Sequence, residues 1–203
     1  VDEVRGRVPV VAGAGSNDTA RAIELSREMA AAGATHLLHT SPMYNKPPQR
    51  GIVAHFQAVA DVTTLPVVLY NVPGRTASNM EAETTLLLAE HPNIVAIKEA
   101  SGNLPQVSEI LRCRPGGFSV LSGEDALTLA ILAEGGDGVI SVTSNVTPAL
   151  VAELCLAAFR GDFADARALQ HRLAPWTAAA FAESNPIPVK AALAMMGRMH
   201  NSL

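Results

Sequence analysis

Short apolar runs alternate with amphipathic segments along most of the chain. Six runs rich in aliphatic and β-branched residues predict strands, at Val8–Ala12, Thr35–Thr40, Leu65–Tyr70, Asn93–Lys98, Phe118–Leu121 and Gly138–Val142. Helix-like segments lie between them, at Thr19–Ala32, Gly51–Val62, Ala82–Glu90, Leu104–Arg112 and Asp125–Glu134. Strands that alternate with single helices at this spacing indicate an α/β fold, in which βα units surround a parallel sheet.

Two architectures of this class compete. A doubly wound sheet usually carries a phosphate-binding loop after its first strand, but the segment GAGSND (residues 13–18) has Asp18 where the third glycine belongs. The next strand ends near His39 rather than near an acidic residue. The alternative is a (β/α) barrel, which normally needs eight units. With six predicted strands, no initiator Met and an early first strand, the sequence predicts a chain that begins partway through a larger barrel protein.

The residue composition changes at Val151, where an Ala-rich segment predicts helix. Gly161 is expected to break this region into two helices, and Pro175 to disturb the second. The segment NPIPVK (185–190) predicts an extended stretch before a last helix at Ala191–Met196. We therefore predict a partial (β/α) barrel over residues 1–150 and a C-terminal helical segment over residues 151–203, packed together as a single structural domain.

The amino-acid composition of the chain excludes several classes of protein. Hydrophobic residues make up 48% of the 203 residues and charged residues 17%, which excludes intrinsic disorder. A net charge of −4 argues against a nucleic-acid partner. No apolar run approaches the roughly 20 residues that cross a bilayer, and the N-terminal segment does not resemble a signal peptide. Cys113 and Cys155 fit no zinc spacing, so two reduced thiols in a cytoplasmic protein are expected, without a metal or cofactor.

Polar loops with helix-capping residues follow nearly every strand, and in a parallel sheet these loops gather at one edge. The predicted caps are Asn17 or Asp18, Asn79, and Ser122 with Asp125. Lys98 closes its strand at this edge. Burial would lower the pKa of its amine, which could then attack a carbonyl and form a Schiff base. The alternative is a lysine that reaches solvent or pairs with an acid such as Glu99.

Three further side chains stand at ends of strands on the same edge. Tyr70 closes the preceding strand and could move a proton, or could be a core tyrosine with a backbone partner. Arg75 suits bidentate recognition of a carboxylate, although a loop arginine can also sit in a surface ion pair. Tyr44, in a Pro-rich loop, could belong to the site or be an exposed interface aromatic.

Six ordered motifs resemble the dihydrodipicolinate synthase family, within the superfamily of Schiff-base pyruvate aldolases. They are YNKPPQRG (44–51), LYNVPGRT (69–76), IKEASG (97–102), SGEDAL (122–127), GGDGVISVTSN (135–145) and NPIPVK (185–190). The resemblance extends from Val8 to about Gly197. It implies a (β/α)8 TIM barrel, of which this chain carries strands 3 to 8 and lacks two upstream units and the end of the C-terminal helices.

The resemblance also implies roles for individual residues. Lys98 would condense with pyruvate, and the enamine would attack aspartate 4-semialdehyde. Tyr70 would shuttle protons, and Tyr44 would reach into a neighbouring subunit's site in a dimer of dimers. Arg75 would hold the carboxylate of the semialdehyde. Main-chain groups of two further residues would lie near pyruvate, those of Gly123 and Ile140.

Alternatives remain open on the sequence. A related aldolase acting on N-acetylneuraminate or a 2-keto-3-deoxy sugar acid would share the barrel, the lysine and the tyrosine, whereas Arg75 favours the synthase. A catalytically incomplete fragment that binds without turnover is the alternative from another class.

In lysine-inhibited members of the family, an asparagine, a glutamate and a tyrosine contribute to the feedback site. This chain keeps Asn17 there but has Arg21 and Met43 at the other two places, which predicts weak sensitivity to L-lysine.

Overall fold

The structure is a computed structural model and describes residues 1–200. All six predicted strands occur in this part of the chain, with small shifts of their bounds. They are β1 (Val11–Gly13), β2 (His36–Thr40), β3 (Val67–Asn71), β4 (Ile94–Glu99), β5 (Ser119–Ser122) and β6 (Gly138–Val139). Single helical segments follow most strands, so the predicted alternation of strand and helix is confirmed.

The chain forms two compact units, the first of which covers Val1–Leu121. Its strands are neighbours in chain order from β1 to β5, and the pairs β1–β2, β2–β3 and β3–β4 are parallel. Its helices are α1 (Thr19–Ala31), α2 (Gln49–Val62), α3 (Pro73–Thr76), α4 (Ala82–Ala89) and α5 (Leu104–Cys113). Parallel order brings the carboxyl ends of these strands to one edge.

Apolar strand residues explain why the sheet is the centre of the first unit. Val67, Val68 and Leu69 are consecutive and all buried, as expected for a strand covered on both faces. Ile97 on β4 and Phe56 on α2 are fully buried as well. The β3–β4 register is irregular at its start, where Val67 pairs with Ile94 and Val68 with Ala96. The regular register from Ala96 onward decides which side chains meet at the end of the strands.

The second unit begins at Ser122, the last residue of β5. Within this unit the Ile140 N–H donates to the Ser122 carbonyl at 2.9 Å. The helices of this unit are α6 (Thr128–Ala133), α7 (Pro148–Phe159), α8 (Phe163–Ala180) and α9 (Ile187–Met195). The side chains of its core come mainly from α7 and α8, and include Leu154, Ala157, Ala166 and Leu173. The division predicted at residue 150 within one structural domain stays a prediction.

Pro175 lies inside α8, which continues to Ala180. Two local expectations were wrong. The expected extended stretch at residues 185–190 is helical from Ile187, because Pro188 occupies a first-turn position where its missing N–H has no helical partner to lose. Asn79 does not cap α4, whose N-cap is Glu81. The Asn79 side chain is instead hydrogen bonded to Asn71 and Gln106.

Other helix starts follow the expected chemistry. The Asp18 carboxylate accepts from the Arg21 N–H at 3.0 Å and caps α1, while the Asn103 side chain caps α5 through the Gln106 N–H. None of the helices within residues 1–200 combines the length and apolar content that spanning a bilayer requires. In the same part of the chain, no three His, Cys, Asp or Glu side chains converge as a metal site would need.

Candidate active site

Lys98 and Tyr70 meet at the carboxyl ends of two neighbouring strands. They are direct register partners in the β3–β4 pair, so both side chains project from the same face. The Lys98 Nζ lies 4.2 Å from the centroid of the Tyr70 ring. In its ammonium form, a lysine over an aromatic face is attracted by the ring. Both residues are half-buried, which suits an amine and a phenol that must be sheltered yet open to a small molecule.

Arg75 lies just beyond the end of β3. The short helix α3 begins at Pro73, and its turn closes when the Arg75 N–H donates to the Val72 carbonyl at 2.8 Å. Ala77 then takes a left-handed conformation, with φ of 60°, and ends the helix. The loop therefore projects Arg75 as an exposed side chain after the strand that carries Tyr70.

Tyr44 follows β2, and its loop packs against the Arg75 loop. The Tyr44 N–H donates to the Thr76 carbonyl at 3.3 Å. Tyr44 itself has φ of 72°, an uncommon conformation for a bulky residue. The side chain is 88% exposed. The structure thus brings the two loops together but leaves the phenol of Tyr44 on the surface of this chain.

Gly123 and Ile140 lie in the second unit, beside the hydrogen bond between Ser122 and Ile140. The buried Asp125 carboxylate organises the loop after Ile140: it accepts from the Val142 N–H at 2.8 Å, the Thr143 hydroxyl at 2.6 Å and the Ser141 hydroxyl. Burial, with the Asp125 charge as a second cause, raises the pKa of the Glu124 carboxyl. A buried carboxylate with several donors therefore fixes the backbone next to these two candidate binding residues.

Sequence reasoning missed a buried polar network directly behind the lysine–tyrosine pair. Glu99 is 1% exposed, and its carboxylate accepts from the Asn71 side chain at 3.0 Å and from the Gln106 side chain at 3.1 Å. The signal was present, because Asn71 and Glu99 are the next residues after Tyr70 and Lys98. Their partnership spans 28 positions, and only the strand register reveals it.

A second buried group lies between β2 and the helices of the first unit. His39 is fully buried, and one of its ring nitrogens lies 3.2 Å from the Ser26 hydroxyl. Burial lowers the pKa of His39 to about 4, and the charge of His55 contributes in the same direction. Burial also lowers the pKa of His55. These imidazoles are held neutral in the folded protein near pH 7, which suits core packing.

The parallel strands and the Lys98–Tyr70 pair at their carboxyl ends indicate the class of this protein. It is an α/β protein with a candidate Schiff-base site in the position where barrel enzymes carry out their chemistry. The dihydrodipicolinate synthetase family model matches residues 1–203. The chain belongs to that family.

Individual relatives agree with this assignment. A 4-hydroxy-tetrahydrodipicolinate synthase from Koribacter versatilis is 53% identical over 203 residues, which are 100% of this chain and 68% of the relative. A solved structure of a monomeric dihydrodipicolinate synthase variant is 41% identical, with a TM-score of 0.98, and covers 100% of this chain and 69% of its own. The chloride-inhibited enzyme from Acinetobacter baumannii, solved with pyruvate, is 40% identical, with a TM-score of 0.96, and covers 98% and 69%.

These structures confirm the fold class predicted from the sequence, the (β/α)8 barrel family with six βα units in this chain. The chain spans about 70% of the length of the relatives it matches. The predicted resemblance is confirmed along its whole length.

Proposed function

We propose that this protein condenses pyruvate with aspartate 4-semialdehyde to give 4-hydroxy-tetrahydrodipicolinate, a lyase reaction of the class I aldolase type in lysine and diaminopimelate biosynthesis. Membership of the family and the names of its closely similar relatives support the reaction. The observation that carries the proposal for this chain is the Lys98 amine 4.2 Å from the Tyr70 ring centre.

Lys98 is the nucleophile of the first half-reaction. Its neutral amine attacks the C2 carbonyl carbon of pyruvate, and the carbonyl oxygen leaves as water once it has been protonated. The Tyr70 phenol donates and takes back protons during these steps, and the closeness of its ring to the amine supports this role. Loss of a proton from C3 of the imine then gives an enamine. After the condensation, the amino group that came from aspartate 4-semialdehyde attacks the imine carbon, and expulsion of the lysine amine closes the ring and returns free Lys98.

Binding groups around the pair select the substrates. The enamine carbon attacks the aldehyde of the second substrate, while Arg75 at the rim holds its carboxylate through paired N–H donors. Gly123 and Ile140 provide main-chain contacts to pyruvate. The Ile140 N–H is bonded to the Ser122 carbonyl, so the contact proposed for Ile140 uses its carbonyl oxygen.

The partners follow from the same proposal. Tyr44 joins the proton relay of a neighbouring subunit in a homo-oligomer, a dimer of dimers, and its 88% exposure on the single chain supports this. The reaction needs no cofactor, since the protonated imine formed between Lys98 and pyruvate is the electron sink. We also propose a cytoplasmic location, which the two free thiols of Cys113 and Cys155 support.

The choice of second substrate is tested by activity. The purified full-length enzyme should turn over pyruvate with aspartate 4-semialdehyde and should not use sugar aldehydes such as N-acetylmannosamine. Formation of product is followed spectroscopically in the presence of each aldehyde at matched concentrations. Preference for a sugar aldehyde would assign the protein to the sugar-acid aldolases, and absence of turnover with both, in a folded protein, would make it a non-catalytic member.

A further inference from the structure

Behind the lysine–tyrosine pair, Asn71 and Glu99 form a second register pair between β3 and β4. Their side chains are 0% and 1% exposed, and the Asn71 amide donates to the Glu99 carboxylate at 3.0 Å. Successive residues of a strand project from opposite faces. The two pairs therefore share the same two strand ends but lie on opposite sides of the sheet.

Glu99 is fastened from three directions. Besides Asn71, its Oε1 accepts from the Ser101 N–H at 2.6 Å, and its Oε2 accepts from the Gln106 side chain of α5 at 3.1 Å. Both oxygens serve as acceptors, as those of an ionised carboxylate do. Burying such a group is costly unless its hydrogen bonds are made, so the site is sensitive to any change that removes a donor or reverses its polarity.

Asn71 also closes the loop that carries Arg75. Its Oδ1 accepts from the Met80 N–H at 3.0 Å, and its Nδ2 lies 2.8 Å from the Asn79 Oδ1. The loop therefore leaves the sheet after Asn71, and at Met80 it returns to the Asn71 side chain. Gln106 reaches the Met80 carbonyl at 3.1 Å, so the same three side chains fix both the loop and the end of β4.

We propose that Asn71, Glu99 and Gln106, here called the strand-end network, are positioning residues for the reaction. The network locks the ends of β3 and β4 and the Arg75 loop, and so holds the Lys98 amine and the Arg75 guanidinium at working distance from the substrates. This inference rests on the function proposed above. A core built only for stability would be served as well by apolar side chains of similar size, whereas a fixed hydrogen-bond geometry specifies one orientation of the two strand ends.

The test is the rate of pyruvate adduct formation in the full-length enzyme. Samples are quenched with borohydride at successive times and the mass increase is measured. Glu99→Gln keeps the shape but turns an acceptor into a donor that faces other donors. Because a displacement of about 1 Å can cost on the order of a hundredfold in rate, we expect adduct formation to slow by at least about tenfold. We also expect kcat and kcat/KM for pyruvate to fall together, as when an interaction of the transition state is lost.

Asn93→Asp is the matched control, because Asn93 immediately precedes the other end of β4 and its amide binds the Ala60 and Thr63 carbonyls at 3.1 and 2.8 Å. This change also reverses the polarity of an amide that is partly buried, so it should lower the thermal midpoint without slowing adduct formation. A Glu99→Gln enzyme that lowers the midpoint equally and traps pyruvate at the wild-type rate would reduce the network to a structural role and overturn the proposal.

Two further variants keep the test decisive. If Glu99→Gln does not fold, Gln106→Met removes the side-chain amide that donates to Glu99 and Met80 and accepts from Asn79, at the half-exposed end of the network. Slowing beyond that of Asn93→Asp is expected, and a wild-type rate overturns the proposal. Adding Asn71→Asp to Glu99→Gln reverses both partners and should recover part of the lost rate. Failure of the wild-type enzyme to form any adduct would instead remove the proposed function itself, and with it this inference.

Discussion

Arg75 is an exposed residue of the short helix α3, which follows the strand that carries Tyr70. On this placement, Arg75→Ala should impair use of the aldehyde and leave pyruvate adduct formation largely intact. Loss of a charged hydrogen-bonding partner should cost about 1.5–3 kcal/mol of transition-state stabilisation, measured as kcat/KM for aspartate 4-semialdehyde. Arg75→Lys keeps the charge without the paired donors and should recover part of that loss. Equal loss of pyruvate trapping would place Arg75 in the first half-reaction or the fold.

His39 gives a prediction about stability. Its pKa is lowered to about 4 from an ordinary value of 6.5, so the folded protein keeps the ring neutral while the unfolded chain binds a proton below pH 6.5. The contribution of this group is complete above pH 6.5, declines as the pH falls, and is lost below about pH 4. The linked loss is roughly 3 kcal/mol.

Denaturant unfolding of the wild type and of His39→Gln from pH 7 to pH 4 measures this effect. The wild type should lose more stability than the variant over that range. His171→Gln, on the exposed surface of α8, is the control and should follow the wild-type curve. Parallel curves for the wild type and His39→Gln would show that the buried imidazole does not set the acid sensitivity.

At the scale of elements, the strands and most helices could be predicted because their signals are local. Continuous apolar runs predicted β3 and β4 within two residues at each end, and Asp18, one of the two predicted caps, begins α1. The start of α9 and the role of Asn79 could not be predicted in this way. The start of α9 depends on Pro188 occupying the first turn, which a Pro-rich pattern does not distinguish from an extended stretch. The role of Asn79 depends on its partners Asn71 and Gln106.

In the candidate site too, residues with local signals could be predicted and residues that depend on distant partners could not. Lys98 and Tyr70 could be predicted from their places at ends of strands, and the register confirms that they meet. The strand-end network could not, because Asn71 and Glu99 meet only after a whole βα unit has folded between them. The exposure of Tyr44 was one of the two alternatives that the sequence left open, and the structure decides between them with a side chain that is 88% exposed.

The first turn of α1 and the loop after β2 carry the prediction on feedback. The Asn17 side chain donates to the Met43 carbonyl at 3.2 Å, so the structure brings these two positions together. The Arg21 guanidinium pairs with Glu24 and Glu28, both at 3.0 Å. The Arg21 guanidinium has only hydrogen-bond donors, so it cannot accept from an ammonium group of lysine as a glutamate would, and Met43 cannot donate a phenolic hydrogen bond.

We therefore expect the initial rate of the full-length enzyme to respond weakly or not at all to L-lysine. Arg21→Glu combined with Met43→Tyr should increase the response, because an acceptor and a donor replace the two unsuitable side chains. Strong inhibition of the unmodified enzyme at submillimolar lysine would contradict this prediction.

At the scale of the whole molecule, the proposal requires Tyr44 of one chain to serve the site of another. Tyr44→Phe and Lys98→Ala should each be nearly inactive alone. When the two variants are unfolded together and refolded, mixed assemblies should contain sites with both groups intact, so activity should rise above that of either variant. Each variant refolded by itself is the control. No gain, with mixed assemblies verified by mass, would confine Tyr44 to its own chain or to no catalytic role.

The central claim is that Lys98 carries pyruvate as a Schiff base, and trapping of the adduct tests it most directly. The sequence contains three lysines, Lys46, Lys98 and Lys190, so peptide mapping after borohydride reduction can assign the modified residue. We predict a single pyruvate-derived mass increase on Lys98, absent in Lys98→Ala and also in Lys98→Arg, which keeps a cation over the Tyr70 ring but cannot form the imine. An adduct on another residue, or one that persists in both variants, would contradict the account.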